Sequence, residues 1–415
     1  MYGTLPFQGA YGSNAIGYTP GLGGSKSVLP AGATLEHYYP FRNDLNDRKT
    51  AASGTLTRAS TVIYQDKTGD WVSVADDVPA LTGESILLQG NISNVTDWPL
   101  KPTAGDETAL TAYNAAYFDT PTLGNDSAGI GAAGFQSLLD AGIINGNYCR
   151  IHMTDTTNSY REFTFTGSQG NLNNCSLMAL VRLVSVVDSN KPPQIKPIGG
   201  ATLDFDNTDW QVVRLENVVR AGLASTDVFR IRCTEGVYDV ALITTVEGSN
   251  IQTFIEGSGT QVINDLQLDS STWPVNDCWY YLNFPNGIPD IGNDQYILET
   301  LLPDVSNRFL LQAQASANIR VANIVAGSFI NVISFPLLFN TPFDLVFNQN
   351  SVTGGQLAIS SGAVGTSAAT ADLMIGGLAQ VGATNTLTSA LNSYVSQLKV
   401  GTGSVTLEQA RTATR

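Results

Sequence analysis

The chain is short of charge. Asp, Glu, Lys and Arg make up 14% of its 415 residues, well below the usual quarter, while 43% are hydrophobic, which excludes the apolar-poor, self-repelling composition of a disordered chain. Basic residues are scarcest: 21 against 36 acidic ones, a net charge of −15, with no run longer than Arg48-Lys49. Duplex DNA and anionic membranes reward clusters of Lys and Arg, so nucleic acid and membrane are not expected as partners. The four cysteines (Cys149, Cys175, Cys233, Cys278) form no CxxC pair, which removes a zinc or redox reading. They are expected as small buried thiols, a single bridge such as Cys149–Cys175 being the alternative. No apolar run approaches the ~18 residues that span a bilayer, and no basic stretch leads into an apolar one at the start, so neither membrane insertion nor a secretion signal is expected.

What is present is polar but uncharged: Ser, Thr, Asn, Gln and 40 Gly, a surface suited to turn-rich extracellular β-proteins and virion shells. The length calls for two or three domains. Residues 1–33 carry seven of the glycines before Ser25, with Pro6, Pro20, Pro30 and isolated Tyr2, Tyr11 and Tyr18. No period of 2 or 3.6 persists there, so an extended arm that orders against a partner is expected, a disordered tail being the alternative.

Beyond the arm, short runs of β-branched and aromatic residues bounded by Gly, Asn, Asp and Ser predict strands. They include Leu56–Tyr64, Trp71–Ala75, Tyr148–Met153, Arg161–Phe165, Ser176–Val184, Trp210–Glu216 and Val228–Cys233. In Gln194–Ile198, Pro197 lacks an N–H and predicts an edge strand at best. Residues 262–415 add Trp279–Phe284, Tyr296–Leu301, Arg308–Ala313, Asn318–Ala322, Phe329–Ile333, Phe343–Phe347, Gln356–Ile359 and Tyr394–Val400. One helix is expected over Ala132–Ala141, with Phe135, Leu138 and Leu139 on a shared face and Gly142 as its stop. A last helical turn follows Thr406, with Ser404 or Thr406 as cap and Glu408 in its first turn.

Several phrases carry a resemblance. Thr57-Arg58-Ala59-Ser60-Thr61-Val62-Ile63-Tyr64 is followed by Ile86-Leu87-Leu88-Gln89 and by a module opening near Trp98. Trp210-Gln211-Val212-Val213 comes next, then the junction Tyr238–Ile255, where an alternating, half-buried strand runs into a Glu247-Gly248-Ser249 turn and a second short strand. Ser351–Leu357, Leu373-Met374-Ile375-Gly376-Gly377 and Thr406–Arg411 close the series. In this order the phrases resemble bacteriophage virion proteins in which a carbohydrate-binding-like β-sandwich precedes a concanavalin-like (laminin-G-type) jelly roll. The chain departs from that pattern at Gln89, where Glu is usual, and at the hairpin after Ser351, which lacks its usual Asp. The resemblance implies an all-β fold of two tandem β-sandwich/jelly-roll domains behind a Gly-rich N-terminal arm. The expected division is residues 1–55 as arm, 56–261 as the carbohydrate-binding-like sandwich and 262–415 as the concanavalin-like jelly roll.

Few constellations carry chemistry. His37 and His152 have no Ser or Cys phrase beside them and read as packed residues. Asp265, Asp269 and Glu299 are candidate paired carboxylates for glycoside hydrolysis, but 36 acidic residues make chance pairs inevitable, and no enzymatic activity is expected. Asp204, Asp206 and Asp209 form the one acidic run suited to calcium, a polar turn being the bland reading; no other cofactor is expected. Trp210, Trp273, Trp279 and Tyr280 are the candidates for stacking on sugar rings, against the commoner core role. The expected function is a non-enzymatic virion subunit (spike, fibre or capsid decoration) located in the virion and anchored to other virion proteins through residues 1–33. It would form a homo-oligomer, a trimer by expectation, with host polysaccharide as a further partner. A glycan-binding adhesin or polysaccharide hydrolase is the alternative.

Overall fold

The computed structural model describes residues 29–413 apart from 91, 110, 168–173, 197–201, 220–226, 248–252, 256–259, 262–264, 290–293, 302–305, 361, 363, 383–390 and 392. Most of the N-terminal arm therefore lies outside the described residues, as do Pro197 and the turn at Gly248-Ser249. The fold is all-β, and every strand pair named below is antiparallel.

Two sandwiches are present. In the inner one, a sheet ordered Leu203–Asp204, Gln194–Lys196, Asp227–Cys233, Arg161–Thr166, Thr111–Ala112 faces a sheet ordered Gln211–Val219, Asn174–Val186, Gly236–Glu247, Asn147–Met153, Thr122–Asn125. Strand alternation sorts the core: Leu177, Ala179 and Val181 point between the sheets toward Phe163, Phe165, Phe229 and Ile231, while Met178 and Leu180 point to the opposite face. A bulge keeps this order along the junction strand 236–247. Leu180 pairs with Leu242 but Val181 with Val240, which leaves Ala241 as the extra residue and resets the parity.

The far face of that second sheet is covered by a helical layer, Ser127–Ile130, Gly131–Phe135 and Gln136–Asp140, together with Trp71 and Phe254. The predicted helix is present, with Phe135 and Leu138 buried, but it is kinked at Gly134 (φ +88°) and wound as a π-turn before it. A Cβ at Gly134 would meet the Gly69 carbonyl at 3.1 Å, so the kink lets the helix seat closely on the hairpin Val62–Gln65/Trp71–Val74. Covered on both sides, the junction strand is buried throughout 240–246 rather than half-buried as its alternation suggested. Its short successor, Thr253–Phe254, pairs with Tyr64 and Ile63.

The outer sandwich packs a six-stranded sheet, ordered His37–Tyr39, Gln397–Thr402, Cys278–Phe284, Phe343–Asn350, Gly354–Ile359, Val364–Ser367, against a seven-stranded one. The latter is ordered Thr55–Thr57, Asp265–Asp269, Leu378–Val381, Gln295–Leu301, Arg308–Gln314, Asn318–Val325, Ser328–Pro336. Tyr280, Leu282 and Phe284 fill the space between them with Phe309, Leu311, Phe347 and their neighbours. Trp279 and Tyr281 point the other way, under the C-terminal helix Leu407–Thr412. Thr406 caps that helix by accepting from the Gln409 backbone N–H at 3.2 Å, and the Gln409 side chain accepts from the Thr406 N–H at 2.8 Å.

The pairing does not follow three consecutive blocks. Residues 37–39, expected in the arm, and 55–57, expected at the boundary between the arm and the first sandwich, are strands of the outer sandwich, and Thr57 pairs directly with Asp265. The inner sandwich is thus inserted between two neighbouring strands of the outer one. The predicted strand Tyr394–Val400 divides at Ser396: Ser393–Val395 pairs with Ile86–Leu88, and Gln397–Thr402 joins the six-stranded sheet. Gln194–Lys196 is not an edge strand, since Ile195 has Leu203 on one side and Ile231 on the other. All four cysteines are buried and none is in a disulfide.

Candidate functional site

The residues singled out for sugar stacking are core. Trp210, Trp273, Trp279 and Tyr280 are between 0 and 7% exposed, so no ring face is available to a ligand. Trp279 Nε1 donates to the Thr34 and Thr402 carbonyls, both at 3.1 Å, and so fastens the entering chain to the departing one. The Tyr280 hydroxyl donates to the Pro274 carbonyl at 2.7 Å, and Trp273 packs 5.9 Å from the Tyr280 ring. Trp210 lies under the Arg182 guanidinium, 4.6 Å from its ring centroid, and its Nε1 donates to Asp126 at 3.1 Å. Trp279 and Tyr280 lie on the strand Cys278–Phe284, both faces of which are covered, while Trp210 and Trp273 are buried from turns just ahead of strands.

The acidic run is engaged in part within the fold. Asp204 accepts from Gln194 Nε2 at 2.6 Å, and the Asp209 backbone N–H is turned into an Asx turn on Asn207 at 2.9 Å. Among the described residues no three His, Cys, Asp or Glu side chains gather as a metal-holding group. The run is a polar turn leading into the strand 211–219.

The carboxylate candidates are likewise engaged. Asp265 accepts from Gln380 and Gln267, both at 2.7 Å, Asp269 caps Ser271, and buried Glu299 accepts from Arg308. His37 sits in a chain of contacts, Nδ1 2.7 Å from Asp47 and Nε2 3.3 Å from the Thr272 hydroxyl. Burial would raise the Asp47 carboxyl. Hydrogen bonds from His37, the Tyr38 N–H, Thr50 and the Lys49 N–H win instead and hold it at about 2. The group knits residues 37–50 onto the loop at 272. His152 pairs with Asp119 at 2.6 Å on the surface.

What the fold does assemble, and the sequence did not reveal, is a groove of about 500 Å³ on the outer face of the six-stranded sheet. Val346 and Asn348 form its floor with Ala358, the C-terminal helix gives one wall through Leu407, Glu408 and Arg411, and Gln356 and Val364 lie opposite. Asn348 fixes the entry to the helix by exchanging two hydrogen bonds with Val405, at 3.0 and 2.9 Å. Behind the wall, Arg411 grips buried Asp344 through Nε (2.7 Å) and Nη2 (2.9 Å), and the Tyr281 hydroxyl donates to the same carboxylate at 3.0 Å. Burial acts to raise Asp344, but the Arg411 contact outweighs it and keeps the carboxyl low. Lys399, 1% exposed, donates to the Ala410 and Arg411 carbonyls at 3.0 and 2.8 Å. Burial pushes this amine down to about 7 against the pull of Asp344. The exposed lining is mixed and carries both signs of charge, from Glu408 and Arg411.

By its fold the chain is an all-β protein of two antiparallel sandwiches. No protein-family model matches it, and no curated protein does. Among solved structures it is similar to a tail fiber protein from an E. coli phage, at 10% identity and a TM-score of 0.23 over 83% of this chain and 46% of that one. It is also similar to domains LG4-5 of the mouse laminin alpha1 chain, at 11% and 0.24 over 60% and 88%. A third similarity is to a GH43 protein of Bacillus licheniformis, at 10% and 0.23 over 86% and 76%. The chain spans less than half the length of the tail fiber protein, and the functional reading rests on its own residues.

Proposed function

We propose that the chain is a non-enzymatic structural subunit of a bacteriophage virion, of the spike, fibre or decoration kind. In this reading residues 1–33 attach it to the particle and the sandwiches are displayed outward. The observation that carries the reading is the way the chain enters and leaves the outer sandwich. Residues 34–39 run beside 398–402, tied by the Thr34 N–H to the Thr402 carbonyl (3.1 Å) and the Glu36 N–H to the Val400 carbonyl (2.9 Å). The inserted sandwich instead departs from the strands 55–57 and 265–269 of the other sheet. Attachment and display thus leave from different sheets of one support. The ordered phrases from Thr57 to Arg411 support the same reading, and so does the engagement of Asp265, Asp269, Glu299 and both histidines in contacts within the fold. The test is co-sedimentation. The full chain is expected to pellet with particles and to be labelled on them by immunogold, and a chain lacking residues 1–33 to remain in the supernatant. Equal pelleting of both overturns the anchoring role.

A second reading, recognition of host polysaccharide, is favoured by the groove beside the C-terminal helix. Binding of isolated host envelope glycan that is lost in Gln356→Ala/Glu408→Ala supports it. Unchanged binding in that variant refutes the site, and shortening of the glycan on prolonged incubation would point to a polysaccharide hydrolase instead.

A further inference from the structure

The seven-stranded sheet ends in a long strand guarded by no charge, only by one bulge at Ile330 and a terminal proline. Among the described residues Ser328–Pro336 is the last strand of its sheet and pairs only with Asn318–Val325, with Val364–Ser367 of the other sheet beside it. Natural edge strands are kept apart by charge, by brevity or by an early proline, because their free N–H and C=O groups accept any passing strand. This one is nine residues long, reads Ser-Phe-Ile-Asn-Val-Ile-Ser-Phe-Pro, and carries no charge.

Its outward side chains are apolar as well. Phe329 is 51% exposed, Val332 42% and Ile330 38%. The register sets Val332 beside Ala322 and Phe329 beside Ile324, and those two join Leu310 in an apolar cluster separate from the main core. The exposed residues therefore border a small buried apolar cluster on the neighbouring strands. At the adjoining edge of the six-stranded sheet, Val364 is 53% exposed. Contiguous apolar surface of this kind on a folded chain marks an interaction site.

Charge argues for the occupant. The chain carries −15 overall, so two copies repel wherever acidic residues face one another. The strands 318–325 and 328–336 hold no acid at all, and their one charge, Arg320, lies over the Phe329 ring at 5.1 Å. This face is one where a second copy meets no acid.

We propose that the strand 328–336 pairs with the same strand of a second copy, antiparallel about a two-fold axis, joining two seven-stranded sheets into one. An antiparallel edge is complementary to itself: about the two-fold axis, the residue k places before the centre meets the one k places after it, and N–H faces C=O in both directions. The same operation lays the Phe329–Val332 strip of one copy against that of the other. This surface makes pairs; the trimer expected from the sequence would need a different one. The pairing is a property of the purified chain and stands or falls independently of any virion role.

The test is the mass of the full chain by sedimentation equilibrium. The wild type is expected to be a dimer, and Val332→Lys to weaken pairing about a hundredfold or more, since it sets two ammonium groups into apolar surface. Val352→Lys, at a hairpin tip 81% exposed, is expected to leave the mass unchanged, and circular dichroism shows whether each variant is folded. The four native cysteines are buried, so an independent arm introduces single cysteines at Ile330, Val332 and Ser334. At least one of these is expected to give a disulfide-linked dimer on a non-reducing gel. A monomeric wild type, or an oligomer that survives Val332→Lys and yields no cross-link, overturns the proposal.

Discussion

Each sandwich buries an aspartate on the outer side of a sheet and neutralises it with arginine, but the two clamps are built differently. In the inner sandwich, Asp239 is gripped by Arg150 (Nε 2.8 Å, Nη2 2.9 Å) and by Arg182 (Nε 2.8 Å). All three stand on strands of one sheet, and Arg182 continues to Asp126 at the N-cap of the helical layer. In the outer sandwich, Asp344 relies on Arg411, which comes from the last helix of the chain. The first clamp is part of the sheet and forms when its strands pair. The second is a latch, closed only when the terminal helix docks over Trp279 and Tyr281. Charge burial therefore fixes register in one module and holds down a terminus in the other.

The sharpest way to break this contrast is to remove the arginines. Arg150→Met/Arg182→Met leaves Asp239 buried without a cation and is expected to cost about 3–5 kcal/mol, read as a urea midpoint by tryptophan fluorescence. Arg411→Met should cost less, about 1–2 kcal/mol, because its guanidinium is partly solvated and Tyr281 still donates to Asp344. It should also loosen the helix, which limited proteolysis near residue 404 would report. Equal losses in the two variants would erase the distinction.

Lys399 sharpens the latch through pH. Its folded-state value, about 7, lies below the 10.5 of an ordinary lysine, so between the two the unfolded chain binds the proton that the folded chain has released. Stability must then rise with pH across that window, with the full penalty present below about 7 and none above about 10.5. The urea midpoint of wild type should rise relative to that of Lys399→Met as pH goes from about 7 to about 10; a constant difference would refute the assignment. The smallest expected effect is Thr406→Ala, about 1 kcal/mol from loss of the helix cap, confined to the same helix and readable by hydrogen exchange.

How much of this was legible follows the physics of each element. Short strands such as Arg308–Ala313 and Phe343–Phe347 were readable because β-branched and aromatic runs between turn residues have few other uses. The cap at Thr406 was readable because capping is local in sequence. Arg58 shows the opposite case. Within its phrase it looks like a family mark, but it is buried and donates to the Ser60, Ala75 and Val78 carbonyls at 2.7, 2.8 and 2.7 Å, holding together a loop whose parts are up to twenty residues apart. The burial of the sugar candidates and the partner of Asp204 were hidden for a related reason. Composition says that a tryptophan or aspartate is present but not whether a second layer or a glutamine already occupies it, as the terminal helix covers Trp279 and Gln194 meets Asp204. The groove at Arg411 joins strands near 346 and 358 to a helix at 407, a meeting that no local pattern encodes.

Because Thr57 lies directly across from Asp265, the outer sandwich cannot complete its seven-stranded sheet until the whole inner one has been synthesised. The first strands to leave the ribosome must wait unpaired while the inserted module emerges and, as a unit with its own core, folds ahead of them. Order of manufacture and order of completion are thus reversed in this chain. The same adjacency means that the inserted stretch begins and ends at one point of the sheet, yet it leaves one strand, Ile86–Leu88, behind in the support, paired with Ser393–Val395 and buried in its core.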